Sequence, residues 1–204
     1  MKKTKKFKSF SKGPDNLEGK TLVIVESPGK IKKIRSYLGP DFIVMASVGH
    51  VMDLPQKRLG IDIKTLAPEY EVYPDKKKVV AGLKTVLSKN PNMEVFIASD
   101  GDREGEFIGY SLVQLLQPKK YYRIVFHEIT KEAILKAIAE KSEMLNNNLI
   151  CAQMCRRIID RCIGYPISKK LSSHVDNAHA AGRVQSVIVK LIYERCMERN
   201  NFIA

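Results

Sequence analysis

Acidic side chains recur at every second position in one short stretch, Asp100, Asp102, Glu104 and Glu106, after the apolar run Phe96-Ile97-Ala98. The apolar run reads as a buried strand, and the acids as the loop at its end. Extended backbone puts alternate side chains on one side, so at least Asp100 and Asp102 are expected to converge. Two carboxylates about 4 Å apart repel by roughly 4 kcal/mol at an effective dielectric near 20. Such a pair takes up a proton or holds a cation. Hard oxygen donors with open space suit Mg²⁺, which binds through one or two carboxylates plus phosphate oxygens. The expected chemistry is metal-assisted work on a phosphoryl group. A merely solvated acidic loop is the plainer alternative. A calcium loop is excluded, because its twelfth position is Ser111 rather than Glu and the preceding segment is strand-like.

A second acid stands at a second strand end. Thr21-Leu-Val-Ile-Val-Glu26 reads as a buried parallel strand that runs into Ser27-Pro28-Gly29-Lys30. A helix follows to about Leu38, with Ile31, Ile34 and Leu38 on one face, and Gly39-Pro40 stops it. Ligands bind at the carboxyl ends of such strands, so Glu26 and Asp100 can meet at one edge of the sheet. Phe42–Ala46 is a further strand, leading to a loop with His50 and Asp53. Residues 56–78 read as a long excursion with one extended piece near Tyr70–Tyr73, and 79–88 as a helix. Another helix is expected from Arg103 to Leu116, then a strand Tyr121–Phe126, then a helix with Thr130 as N-cap. Strands alternating with helices predict an α/β domain with a mostly parallel sheet.

The character changes after Ser142. Residues 146–163 and 182–200 read as helices, with Gly164-Tyr165-Pro166 ending the first, and no strand is evident. Arg156, Arg157 and Arg161 ride on the first of these beside Asp160. The expected organisation is a basic flexible tail over 1–19, an α/β domain over 20–142, and the start of a helical domain over 143–204.

The net charge of +13 on 204 residues points to a polyanion partner, most simply nucleic acid. Six of the first twelve residues are lysine, so part of that surplus is a tail able to touch phosphates without reading sequence. Cys151, Cys155, Cys162 and Cys196 form no C-x-x-C pair and read as packed, reduced thiols, implying a reducing, intracellular compartment. No apolar run is long enough for a membrane span, and the lysine-rich N-terminus is no signal peptide. Gly13 and Gly19-Lys20-Thr21 fail as a phosphate loop, because five residues separate the glycines and the group precedes the strand.

Six segments together resemble one family. Val23-Ile-Val-Glu-Ser-Pro-Gly-Lys30, Ser47-Val-Gly-His50 with Asp53-Leu-Pro55, Asp100-Gly-Asp-Arg-Glu-Gly-Glu106 and Phe126-His-Glu-Ile-Thr130 resemble the N-terminal part of type IA DNA topoisomerases. Arg156-Arg157 with Asp160-Arg161 and Gly164-Tyr165, then Ala181-Gly-Arg-Val-Gln-Ser186, resemble that family's next segment. The similarity runs from about Lys20 to the end.

The resemblance implies a Toprim domain, a Rossmann-like metal-binding module. It implies that Glu26 handles the proton of the attacking or leaving 3′ oxygen. It assigns Lys30 to the scissile phosphate and Asp100, Asp102 and Glu104 to Mg²⁺. Arg156, Arg157, Asp160, Arg183 and Gln185 fall near the bound strand, His50 supports a loop or touches DNA, and Glu106 is structural. The implied partner is DNA, in single-stranded regions of negatively supercoiled duplex. None of the eight tyrosines lies in the family's nucleophile motif. An N-terminal fragment or truncated product of a larger enzyme is therefore expected, with the remaining C-terminal part as a further partner. Two other readings stay open: a stand-alone Toprim nuclease using water, and a non-catalytic binder of single-stranded nucleic acid.

Overall fold

The computed structural model describes Leu17, residues 19–177 and residues 179–202. The lysine-rich stretch before Leu17, expected as a flexible tail, lies outside the described residues. The chain divides into two compact units. One contains the residues up to Asp53 together with Val72–Cys151, and the other Leu54–Glu71 with the residues from Ala152 on.

The first unit is built on four parallel strands, β1 (Thr21–Val25), β2 (Phe42–Ala46), β5 (Val95–Ala98) and β6 (Tyr121–Arg123), in the order β2-β1-β5-β6. β1 and β5 are central and buried on both faces, which explains their near-continuous apolar sequences. Leu22, Ile24, Val95 and Ile97 point to one face, where α2 (Lys77–Lys89) and α3 (Arg103–Leu116) cover them with Leu83, Val86, Ile108 and Leu112. Val23, Val25, Phe96 and Ala98 point to the other, covered by Ile34 of α1 (Ile31–Leu38) and by Ile134 and Ala137 of α4 (Lys131–Ala139). Two more short strands, β3 (Met52–Asp53) and β4 (Glu71–Val72), pair with each other. Leu17 is buried in the α2–α3 core.

The connection after β1 runs outward to β2, and that after β5 runs the opposite way to β6. The reversal falls between β1 and β5, whose last residues, Val25 and Ala98, are register partners. Glu26 and the Ser99–Asp100 corner therefore leave the sheet side by side, at the crevice where such folds bind ligands.

In the second unit the expected break at Gly164-Tyr165-Pro166 is corrected. α5 runs unbroken from Asn147 to His174, with Pro166 inside it, before α6 (Arg183–Asn200). A proline removes one intrahelical donor, but here side chains on either side of Pro166 fasten the helix. The Tyr165 hydroxyl donates to the Lys57 carbonyl at 2.8 Å, and the Ser168 hydroxyl donates to Ala181 O and accepts from Ala181 N. Gly164 serves a close approach, since an added Cβ would lie 3.3 Å from Ala181 O. The expectation of packed thiols is also corrected: all four cysteines are free, but Cys151, Cys155 and Cys196 are exposed and Cys162 is half-buried. Small apolar character alone did not bring them into a core, because the faces that carry them turn to solvent.

Candidate functional site

The acidic loop is held by buried groups rather than by its own charges. Asp102 is the N-cap of α3, its Oδ1 accepting from Gly105 N at 2.8 Å. The Ser99 hydroxyl donates to Gly105 O at 2.6 Å. A Cβ on Gly105 would fall 2.0 Å from Asp100 O, so only glycine lets the first turn fold back on the loop. Beneath it lies Arg123, in β6. Its guanidinium donates to the carbonyls of Ile97, Ser99, Asp100 and Ile124 and, at 2.7 Å, to Glu106 Oε1. Both partners of that ion pair are buried. The second oxygen of Glu106 accepts from Asn146 N at 3.0 Å. Arg123 escapes a reading of the sequence as a site residue. The available signal is a lone charge inside an otherwise apolar strand, with an acid on the buried face of the neighbouring helix.

Two of the exposed acids each face a nitrogen-bearing side chain. The Lys30 ammonium lies 2.5 Å from Asp100 Oδ1, and His50 Nε2 lies 2.6 Å from Glu104 Oε2. Lys30 reaches Asp100 because the Ser27-capped turn Pro28–Lys30 carries it over the end of β1. Burial pushes the Glu26 carboxyl above its ordinary value, and the charges of Asp100 and then Asp102 add to the rise, while Lys30 and His50 oppose it. Glu26 thus senses all four neighbours, and the crevice joins an acid whose pKa is raised to the paired carboxylates of Asp100 and Glu104.

The backbone that brings His50 is strained. Val48 has φ 62° and Gly49 φ 80°, and a left-handed β-branched residue costs on the order of 1–3 kcal/mol. In return the N–H groups of Val48 and Gly49 both donate to the carbonyl oxygen of Glu26, at 3.0 and 3.2 Å.

The donor set is chemically compatible with a divalent cation. Among the described residues no three His, Cys, Asp or Glu side chains gather as a ready-made cage. Asp100 and Glu104 are about half exposed, so their oxygens are accessible. One or two carboxylates completed by phosphate oxygens is the pattern of Mg²⁺ rather than of a metal enclosed by protein.

Arg156, Arg157, Asp160, Arg183 and Gln185, expected near a bound strand, lie in the second unit. Arg183 Nε donates to Asp160 Oδ1 at 2.6 Å, and Arg156 Nε lies 3.7 Å from Asp160 Oδ2. Asp160 thereby anchors Arg183 and lies within ion-pair distance of Arg156, while Gln185 is exposed on the first turn of α6. Arg157 is half-buried, and burial, then the charge of Arg161, lowers its pKa. Arg161 itself is occupied, donating to Pro55 O at 2.8 Å and to the carbonyls of Leu54 and Arg58.

A protein-family model described as Toprim domain matches residues 21–129, more than half of the chain. The chain belongs to the Toprim family. Its Toprim segment contains every residue of the acid crevice, and a second model, described as DNA topoisomerase, matches residues 144–204. Among curated proteins, this Toprim chain is 47% identical over 199 residues to DNA topoisomerase 1 of Streptomyces coelicolor, covering 90% of this chain and 21% of the relative. DNA topoisomerase 1 of Fervidobacterium islandicum is 42% identical, with 96% of this chain and 28% of the relative covered. The solved structure of full-length topoisomerase I from Thermotoga maritima is similar at a TM-score of 0.77 and 38% identity, over 90% of this chain and 31% of that one. The chain thus aligns with the N-terminal Toprim region of type I topoisomerases and spans about a fifth to a third of their length.

Proposed function

We propose that this chain is the metal- and DNA-binding part of a type IA DNA topoisomerase, acting where a single strand is cut and rejoined. The observation that carries the reading is the switch-point crevice: Glu26, with its raised pKa, beside the Lys30–Asp100 and His50–Glu104 pairs. Transesterification at a phosphodiester needs a proton held at the departing or attacking oxygen and charge balance on the phosphate. Glu26 supplies the proton, because its surroundings favour the protonated acid at a higher pH than usual. Lys30 meets the scissile phosphate with its ammonium. Asp100, Asp102 and Glu104 hold Mg²⁺, which when bound neutralises charge on the phosphate oxygens. His50 orients Glu104 and supports the loop.

The strand path is assigned to Arg156, Arg157, Asp160, Arg183 and Gln185. Backbone contacts of this kind make binding steeply salt-dependent. The proposed partners are single-stranded regions of negatively supercoiled DNA and the remaining C-terminal part of the same enzyme, which carries the tyrosine nucleophile. Val187, Leu191 and Ile192 stand exposed on α6, an apolar surface of the kind further polypeptide covers. The proposed division is a Toprim domain over 20–142 and a helical DNA-binding segment from 143. An intracellular setting with DNA follows from this reading. Among the described residues no helix is long and apolar enough to cross a membrane.

The test is a chimera in which this chain replaces the aligned N-terminal part of the Thermotoga maritima enzyme. It should relax supercoiled plasmid, and Glu26→Ala or Asp102→Ala should abolish relaxation. A folded chimera that binds DNA but relaxes none argues against the assignment. Nicking by the chain alone, without a covalent protein–DNA link, favours hydrolysis by water instead.

A further inference from the structure

The left-handed bend at Val48 and Gly49 needs support from outside its own loop, and one side chain provides it. The Lys76 ammonium donates to the Val48 carbonyl at 2.8 Å, and the Lys76 side chain is only 18% exposed. Lys76 ends a one-turn helix, Pro74–Lys76, whose approach to the loop is fixed by two further bonds. Tyr73 N donates to Val51 O at 3.1 Å, and the Tyr73 hydroxyl donates to Asp53 Oδ2 at 2.6 Å. The neighbouring acid, Asp75, is 3.5 Å from the ammonium and 71% exposed, so the shorter, more buried contact is the one to the carbonyl.

The peptide unit that Lys76 grips has consequences on both sides. The unit's own N–H, that of Gly49, donates to Glu26 O, and the Val48 N–H just before it reaches the same oxygen. The next residue, His50, pairs with Glu104. The Val48 side chain packs against both cores of the first unit, so the bend cannot relax by simply swinging out. We propose that Lys76 is a positioning residue for the acid crevice, its ammonium holding the Val48 carbonyl so that the strained bend keeps Glu26 and His50 in place. The inference rests on the phosphoryl-transfer reading of that crevice, and it gives a role to a lysine that touches none of the crevice acids.

Lys76→Met keeps the alkyl stem and removes the donor, whereas Lys76→Arg keeps a charged donor. NMR of the full 204-residue chain reads both. In Lys76→Met, exchange of the Val48 and Gly49 amides should accelerate about tenfold or more, as expected for loss of a charge-assisted bond. Exchange at Ile97 in β5 should not change, and the His50 ring ¹⁵N shifts should move toward those of a free imidazole. Lys76→Arg should restore most of both signals. In the chimera, Lys76→Met should lower the relaxation rate while leaving single-strand affinity in place, with rescue by Lys76→Arg. Should Lys76→Met fold poorly, Lys76→Leu, which also lacks a donor, is read the same way. Unchanged Val48 and Gly49 exchange and unchanged His50 shifts in a folded variant overturn the proposal. A wild-type chimera that never relaxes DNA, with the NMR changes present, overturns the reading of the crevice and leaves the bracing by Lys76 standing.

Discussion

Arg123 and Glu106 form a buried ion pair at 2.7 Å directly beneath the acidic loop, and the remaining donors of Arg123 are spent on backbone carbonyls of that loop and its strand. The pair converts a flexible run of like charges into a fixed shelf. Removing one partner leaves the other charge buried and unmatched, which costs about 3–5 kcal/mol. Arg123→Met is therefore expected to lose that much in urea denaturation. A double change of Arg123→Met with Glu106→Leu should lose less than the sum of the two single changes, because no orphaned charge remains.

The pH dependence of Glu26 follows from the direction of its shift. Its folded pKa lies above the ordinary value of 4.5, chiefly through burial. As pH rises from that unfolded value through the folded one, the folded state binds more protons than the unfolded, so stability falls across the window and then levels. Glu26→Gln should remove that falling segment and be the more stable form at neutral pH. Asp100 also raises the Glu26 pKa and Lys30 lowers it. Accordingly Asp100→Asn should bring the Glu26 carboxyl ¹³C titration midpoint down, and Lys30→Met should move it up. Midpoints unchanged in both variants would show that these groups are not electrostatically coupled.

Asp102 caps a helix and, on the proposed reading, also holds the metal. As the cap of α3 it accepts from Gly105 N, and Asp102→Ala should cost about 0.5–2 kcal/mol of stability. Asparagine caps nearly as well, so Asp102→Asn should melt close to wild type while losing any response to Mg²⁺. Gly105→Ala should be worse for the fold than either, by about 1–3 kcal/mol, because its Cβ meets the Asp100 carbonyl. Thermal melts of the three variants check the order.

Much of this arrangement is legible in the sequence because it follows from periodicity and strand ends. The buried runs before Glu26 and Ser99 give β1 and β5, the alternation stops at the acids, and α3 spans Arg103–Leu116 as its pattern requires. Thr130 caps α4 as its residue type favours. Tertiary bonds are not written in such patterns. Arg123 reads as a solvent charge until four carbonyls surround it. β6 ends at Arg123 rather than continuing to Phe126. Gly164 and Pro166 read as a break, yet the glycine admits the Ala181 backbone and α5 passes through. The grouping of Leu54–Glu71 with the helical segment rests on contacts such as Arg161 with Pro55 and Tyr165 with Lys57, which leave no local signature.

The most direct measurement of the central claim is the affinity of the chain for a fluorescent single-stranded oligonucleotide, titrated with and without Mg²⁺ at fixed ionic strength. The wild type should bind more tightly when Mg²⁺ is added, since the ion joins the carboxylates of the crevice to phosphate oxygens. A variant carrying Asp100→Asn, Asp102→Asn and Glu104→Gln should bind at least as tightly as wild type in EDTA, having lost three negative charges from the phosphate path, and should ignore Mg²⁺. Wild-type affinity that is the same with and without Mg²⁺, or a triple variant that still responds to it, would contradict the claim that these strand-end acids work on a phosphate through a divalent ion.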